Sequence, residues 1–181
     1  MTESEYFKHL SFLIVDDNAF MRTIIKRILR TFGAEDIQEA HDGAQALSIL
    51  NSWKPDIIFA DWEMQPFDGM EFTRKIRQSE SPELTFVPII MVSSYSEFWR
   101  IAEARDAGVT EFLVKPISAR TLVGRVIKVI EHPRAFVKAP DFFGPDRRRH
   151  NEPTENERRH EIPLDQDDIN AFFAEDDGAR E

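Results

Sequence analysis

The sequence predicts a doubly wound α/β domain, a parallel sheet with helices on both faces, followed by a tail. Short continuous apolar runs such as 12–15 and 89–92 have the length and character of strands covered on both faces. Strand and helix patterns alternate five times with short connections, which favours crossovers and therefore parallel pairing. Several of the strand-like runs stop at polar residues, as strands do where a sheet of this class opens toward a ligand.

The first strand, 10–15, ends abruptly at Asp16 and Asp17. Ile24, Ile25, Ile28, Leu29 and Phe32 then recur at helical spacing, with Arg22, Lys26, Arg27 and Arg30 on other faces, until Gly33 supplies a stop. A weak strand over 36–40 and a helix over 43–53 follow; Pro55 separates that helix from a strong apolar strand over 56–61. Next come a helix over 71–78, a strand over 86–92 with Pro88 near its start where a missing donor is tolerated, and a helix over 97–107. A short strand over 111–114 and a helix over 118–131 complete the series.

Beyond residue 131 the composition changes, with Pro133, Pro140, Pro145, Pro153 and Pro163 punctuating a polar, charge-rich stretch. Residues 8–131 are therefore expected to form one domain, and 132–181 an extended tail rather than a second one.

With a formal net charge of -10, the averaged surface field repels nucleic acid and anionic membranes, so DNA binding is not expected. The 181 residues contain no cysteine, which excludes a disulfide framework, a thiolate nucleophile and a thiolate metal site. That fits a reducing cytoplasm, the expected location. The N-terminus lacks the basic start and apolar stretch of a secretory signal, and no apolar run reaches membrane-spanning length.

The chemistry is legible at the strand ends. Asp16 and Asp17 end the first strand, Asp61 the third, Ser93 the fourth, and Lys115 followed by Pro116 the fifth. Three converging carboxylates repel one another unless a cation sits among them, and hard oxygen ligands with room for water suit Mg2+. Such an ion bridges an incoming phosphoryl oxygen while one carboxylate attacks phosphorus, and Asp61 on the central strand is the candidate nucleophile. Lys115 would pair with that carboxylate and then with the phosphoryl group, and the Ser93 hydroxyl would donate to it. Taken singly these residues have plain readings: Asp16 and Asp17 as helix caps, Lys115 as a surface lysine.

Taken together, the Asp16-Asp17 pair, Asp61-Trp62-Glu63-Met64 leading to Asp68-Gly69, Ser93 after an apolar strand, and Lys115-Pro116 resemble the receiver domain of bacterial response regulators, including the chemotaxis-regulator subfamily. The resemblance implies a flavodoxin-like sheet of order 2-1-3-4-5. It implies Mg2+ held by Asp16 or Asp17, Asp61 and the backbone carbonyl of Glu63, and a cis Lys115-Pro116 bond. It further implies that a sensor histidine kinase or phosphotransfer protein phosphorylates Asp61, that Ser93 and the aromatic Phe112 act as switch residues, and that an output protein binds the altered face. Glu63 and Ser94 would flank the phosphoryl group and influence its hydrolysis. The sequence departs from the family pattern at Gln65-Pro66, where the loop proline is displaced, at Ser93 in place of threonine, and at Phe112 in place of tyrosine.

Within the tail, Arg148-Arg149-His150 with Pro153 and Arg158-Arg159-His160 with Pro163 form a repeat spanning 147–163. Paired guanidinium groups fork onto phosphates and stack on purines. The segment resembles arginine-rich extensions that bind cyclic di-GMP, which would place Arg148, Arg149, Arg158 and Arg159 at a nucleotide; a charge-mixed linker is the plainer alternative. Over 164–174, Leu164, Ile169, Phe172 and Phe173 fit one helix face and resemble the peptide by which the flagellar switch protein engages the chemotaxis regulator. This helix is expected to dock on the receiver itself or on a partner, or merely to cover apolar surface.

The leading functional reading is therefore a phosphorelay switch that catalyses only its own phosphotransfer and dephosphorylation. The competing readings are a nucleotide effector acting through the tail and a metal-dependent phosphatase using the same acidic sheet mouth.

Overall fold

The structure, a computed structural model, describes residues 3–139, 142–146 and 166–173. Its centre is a five-stranded parallel sheet of β1 (Ser11–Val15), β2 (Asp36–Ala40), β3 (Ile57–Asp61), β4 (Ile89–Ser93) and β5 (Glu111–Val114) in the order β2-β1-β3-β4-β5. Both the fold class and the strand order agree with the expectation from sequence.

Side chains alternate across the sheet and so divide the core in two. On one face Phe12, Ile14, Phe59, Ile90 and Val92 meet Ile25 and Leu29 of α2 (Ala19–Thr31) and Leu122, Val126 and Val129 of α7 (Ala119–Glu131). On the other, Leu13, Val15, Ile58, Ala60 and Ile89 meet Ala46 and Leu50 of α3 (Gly43–Ser52) and Phe72 and Ile76 of α4 (Gly69–Arg77). A third cluster forms where α6 (Phe98–Ala107) covers the β4–β5 edge, through Ile101 and Ala104 against Met91 and Phe112. With both faces covered, β1, β3 and β4 read as unbroken apolar runs, whereas the edge strand β2 is partly exposed and reads weakly.

The helices start where side chains cap them. Asn18 accepts from the backbone N–H groups of Phe20 and Met21, Asp42 from Gln45, and Asp68 from Glu71, while Ser118 and Thr121 form a reciprocal capping box. The stop expected at Gly33 coincides with a positive φ of 101°, and Gly108 ends α6 in the same conformation.

Three elements were not legible in the sequence. A short helix, α5 (Pro82–Thr85), precedes β4. An N-terminal helix, α1 (Glu3–Lys8), delivers Phe7 fully buried, its ring 5.9 Å from Phe12 and 5.8 Å from Phe32. The spacing of Tyr6, Phe7 and Leu10 was the available signal, masked by the polar residues around it. Phe7→Ala should lower the stability of the chain by about 3–5 kcal/mol, read as a shift in the urea unfolding midpoint.

The third is a hairpin in the segment expected to be extended tail. β6 (Phe136–Ala139) pairs antiparallel with β7 (Phe142–Pro145). The rings of Phe136 and Phe143 lie 5.1 and 5.3 Å from Phe86, and the Arg77 guanidinium sits 5.1 Å from the Phe136 ring. Arg77 is buried and donates to the carbonyls of Gly108, Thr85 and Val87 at 2.9, 3.0 and 2.7 Å; burial holds its pKa down to about 9. The pattern escapes a periodicity search because each strand has only four residues and packs through aromatic rings rather than by strict alternation.

Candidate functional site

Parallel strands all open at one end, and the topology brings the predicted residues together there. Asp61 is the last residue of β3 and Ser93 the last of β4, while Asp16 follows β1 and Lys115 follows β5. The backbone fixes both loops: the Asp16 N–H donates to Ala40 O at 3.2 Å and the Lys115 N–H to Ser93 O at 2.8 Å. The Lys115–Pro116 bond is cis, as the resemblance implied, and Gln65–Pro66 is cis as well.

Carboxylate oxygens of Asp16, Asp17 and Asp61 lie within 4.8 Å of one another. Asp16 and Asp61 are buried and Asp17 is exposed. Lys115 Nζ donates to Asp61 Oδ1 at 2.7 Å and stands 3.6 Å from Asp16 Oδ2. Burial pushes the Asp61 pKa up to about 6, with the Asp16 and Asp17 charges adding to the rise and Lys115 opposing it. Burial likewise raises Asp16. Burial disfavours the Lys115 ammonium, but pairing with Asp61 and Asp16 outweighs that and leaves its pKa above the usual lysine value.

The plain reading of the aspartates as helix caps does not describe these two. Asn18 caps α2, and Asp16 Oδ1 accepts only the Asn18 N–H, at 2.8 Å. Asp16 Oδ2 is buried without a hydrogen-bond partner. Such an atom, next to two further carboxylates, is a donor set that suits a hard divalent cation.

Ser93 is buried, and its hydroxyl oxygen accepts the Tyr95 N–H at 3.0 Å, which leaves the hydroxyl proton available to an incoming oxygen. Ser94 and Glu63 are exposed at the rim. Phe112 is fully buried one strand away, edge-on to Trp62 with centroids 6.2 Å apart. Trp62 is in turn edge-on to Tyr95 at 5.7 Å, and the Tyr95 hydroxyl donates to Glu63 Oε1 at 2.6 Å. The Arg100 guanidinium lies 3.8 Å from the Tyr95 ring centroid.

Sequence reasoning missed this chain of aromatic contacts, because Trp62 and Tyr95 are 33 positions apart and only the β3–β4 pairing joins them. It also missed Arg22, whose Nη1 donates to the Asp16 carbonyl at 2.7 Å and steadies the acidic loop. The helix expected over 164–174 is present as α8 (Gln166–Phe173), and Ile169 within it is fully buried. Leu164 and the arginines Arg148, Arg149, Arg158 and Arg159 lie outside the described residues, as do the side chains of Phe172 and Phe173.

A family model for the response regulator receiver domain matches residues 12–127, which contain every element of this acidic site. The chain belongs to the response regulator receiver family. The receiver is 38% identical over 124 residues to chemotaxis protein CheY-3 of Vibrio cholerae, an alignment covering 68% of this chain and 94% of that relative. It is 38% identical over 122 residues to chemotaxis protein CheY of Pseudomonas aeruginosa, covering 67% and 97%. Its fold superposes on chemotaxis response regulator CheY4 of Vibrio cholerae with a TM-score of 0.62 at 28% identity, covering 66% of this chain and 98% of that one. Membership makes the protein a CheY-like receiver-domain regulator of a phosphorelay, a signalling phospho-acceptor. That decides against the reading of the sheet mouth as a phosphatase active site. Among the described residues, no helix is long and apolar enough to cross a membrane. The receiver match, residues 12–127, stops short of the hairpin and α8.

Proposed function

We propose that Asp61 is the phospho-acceptor of this receiver, taking a phosphoryl group from the phosphohistidine of a sensor kinase or phosphotransfer protein. The observation that carries this reading is a buried carboxylate whose Oδ1 is 2.7 Å from Lys115 Nζ and which shares its pocket with two further carboxylates. Asp61 attacks phosphorus, the bond from phosphorus to the donor nitrogen breaks, and an acyl phosphate forms on Asp61. Lys115 passes from the carboxylate to a phosphoryl oxygen, Ser93 donates its hydroxyl proton to another, and Ser94 and Glu63 line the approach of water. Asp16, Asp17, Asp61 and the Glu63 carbonyl are the ligands that would hold Mg2+, which when bound neutralises charge on the phosphoryl oxygens. Once Ser93 is drawn to the phosphoryl group, its acceptance from Tyr95 N–H is weakened, and the Tyr95–Trp62–Phe112 relay carries the change to β5. The output is a change in protein binding and not in DNA binding, in keeping with the acidic charge balance.

The test is incubation of the full chain with a small-molecule phosphodonor and Mg2+, with the modified peptide located by mass spectrometry. The phosphoryl group should appear on the peptide containing Asp61. A modification elsewhere, or none with a donor that modifies a control receiver, would rule the assignment out.

Protons and the divalent ion compete for the same carboxylates, which sets a pH dependence. Asp61 titrates near pH 6 in the absence of metal, so at pH 5 only about one-tenth of it is ionised and apparent Mg2+ affinity should be about tenfold weaker than at pH 7.5. At a hundredfold excess over its dissociation constant, Mg2+ should stabilise the chain by about 2.7 kcal/mol in thermal melts at pH 7.5. Asp16→Asn should remove most of that increment.

A further inference from the structure

The edge strand β2 carries an acidic side chain whose partners reach the acceptor pocket. Glu39 faces α2, where Lys26 Nζ donates to Glu39 Oε1 and Arg22 Nε stands 3.6 Å from Glu39 Oε2. Arg22 and Lys26 are one turn apart and so share a face of that helix. The same Arg22 guanidinium also grips the acidic loop: Nη1 donates to the Asp16 carbonyl at 2.7 Å and, at the longer distance of 3.4 Å, to the Asp17 carbonyl. A planar guanidinium can serve a carboxylate and two carbonyls at once because its donors leave it in fixed, divergent directions.

The loop needs this hold because the Asp16 side chain is fixed by little else. Oδ1 accepts the Asn18 N–H at 2.8 Å, while Oδ2 makes no hydrogen bond and stands 3.6 Å from the Lys115 ammonium. Where Oδ2 points is therefore set mainly by the backbone of residues 16 and 17. That backbone is held through the Asp16 N–H by the Ala40 carbonyl at 3.2 Å, and through its own carbonyls by Arg22. Ala40 and Glu39 are neighbours on β2, so both holds lead back to the same strand end. The Arg22 and Glu39 side chains are only 17% and 29% exposed, and solvent screens their pairing less than it would on an open surface.

We infer that Arg22 and Glu39 are positioning residues for the divalent ion: Glu39, acting through Arg22, sets the placement of the Asp16 and Asp17 carboxylates and with it the affinity of the pocket for Mg2+. The inference rests on the reading of Asp16 and Asp17 as metal ligands given above. It differs in sign from a simple charge effect. A guanidinium near the pocket repels a cation, so if charge alone mattered its removal would tighten Mg2+ binding. Removing a clamp on the ligands loosens binding instead, and outer-shell partners that orient metal ligands are worth about 10–100-fold in metal affinity.

The test is calorimetric titration with Mg2+ of the full-length chain and its Arg22→Met, Arg22→Lys, Glu39→Gln and Asp16→Asn variants, each first shown by thermal melting to unfold cooperatively. Arg22→Met should bind Mg2+ about tenfold more weakly than the parent. Arg22→Lys keeps the charge but not the fork and should fall between the two. Glu39→Gln leaves the guanidinium in place without its anchor and should lose several-fold. Phosphorylation of Asp61 in Arg22→Met by a small phosphodonor should regain the parent rate once Mg2+ is raised about tenfold, because the clamp acts on the ion's ligands and not on the attacking carboxylate. Equal or tighter Mg2+ binding by Arg22→Met, with Asp16→Asn still impaired, would overturn the inference and leave the metal assignment standing. Undiminished binding by Asp16→Asn would overturn both. A rate that stays low at saturating Mg2+ would show Arg22 acting on Asp61 itself, and so would also overturn the inference. Should Arg22→Met fail to fold, Arg22→Lys decides alone, since its charge is unchanged and parent-like affinity would mean that the fork has no part in holding the ion.

Discussion

Asp61→Asn should abolish phosphoryl transfer to the receiver while making the folded chain more stable at alkaline pH. Loss of modification should be complete within detection, a fall of at least about a thousandfold, because a neutral amide is not a competent nucleophile toward phosphorus. The stability change has a definite sign. The folded-state pKa of Asp61, about 6, stands above the unfolded value of about 3.9, so folding favours the protonated form. Its contribution is therefore most favourable below about pH 4 and is lost as pH rises through 6, leaving a buried charge that opposes folding at pH 8. The full linkage is about 3 kcal/mol, but Lys115 gains from the same charge and loses that partner in the variant. A net gain of about 1–2 kcal/mol at pH 8 in metal-free buffer, shrinking toward zero near pH 4, is the expected result of urea titrations at several pH values. A variant that is less stable than the parent at pH 8 would show that the Lys115 pairing dominates.

Gly69→Ala should be the most damaging small substitution in the site. Gly69 opens α4, and its N–H donates to the Trp62 carbonyl at 2.9 Å, which ties the helix to the end of β3. An alanine Cβ at this position would lie 2.1 Å from the Asp61 carbonyl oxygen and 3.0 Å from the Asp61 carbonyl carbon. Those are backbone atoms with no rotamer to escape into, so the strand end bearing the acceptor or the first turn of α4 must move. The expected cost is about 3–5 kcal/mol, together with loss of phosphotransfer in whatever fraction remains folded. Far-UV circular dichroism during urea unfolding gives the first, and mass spectrometry of the Asp61 peptide gives the second. The requirement here is for space: Gly69 has no positive φ, unlike Gly33 and Gly108.

Much of the fold was readable because a parallel sheet covered on both faces leaves a strong one-dimensional trace. The buried strands β1, β3 and β4 appear as apolar runs, and the amphipathic spacing of α2 appears in Ile24, Ile25, Ile28 and Leu29. Phe7 and the Phe136–Phe143 hairpin left no such trace. Their stability comes from partners far along the chain, Phe12 and Phe32 in one case and Phe86 and Arg77 in the other. Short elements held by distant contacts carry little periodicity of their own.

For the candidate site, residue types at strand ends were sufficient to nominate Asp16, Asp17, Asp61, Ser93 and Lys115. The carboxyl end of a parallel strand is where a chain of this class must expose its chemistry, whatever the details of packing. Their nearness, the 2.7 Å contact from Lys115 to Asp61 and the buried Asp16 Oδ2 that lacks a hydrogen bond are properties of the assembled sheet. The same holds for the pKa of Asp61, since desolvation exists only after the core has closed around the group. Sequence alone likewise marked 164–174 as an amphipathic helix with several possible destinations. Only the tertiary structure placed Gln166 on the open edge of β5 and Ile169 beside Phe112, because an edge becomes available, and a pocket acquires walls, only when strands and helices distant in the chain have come together.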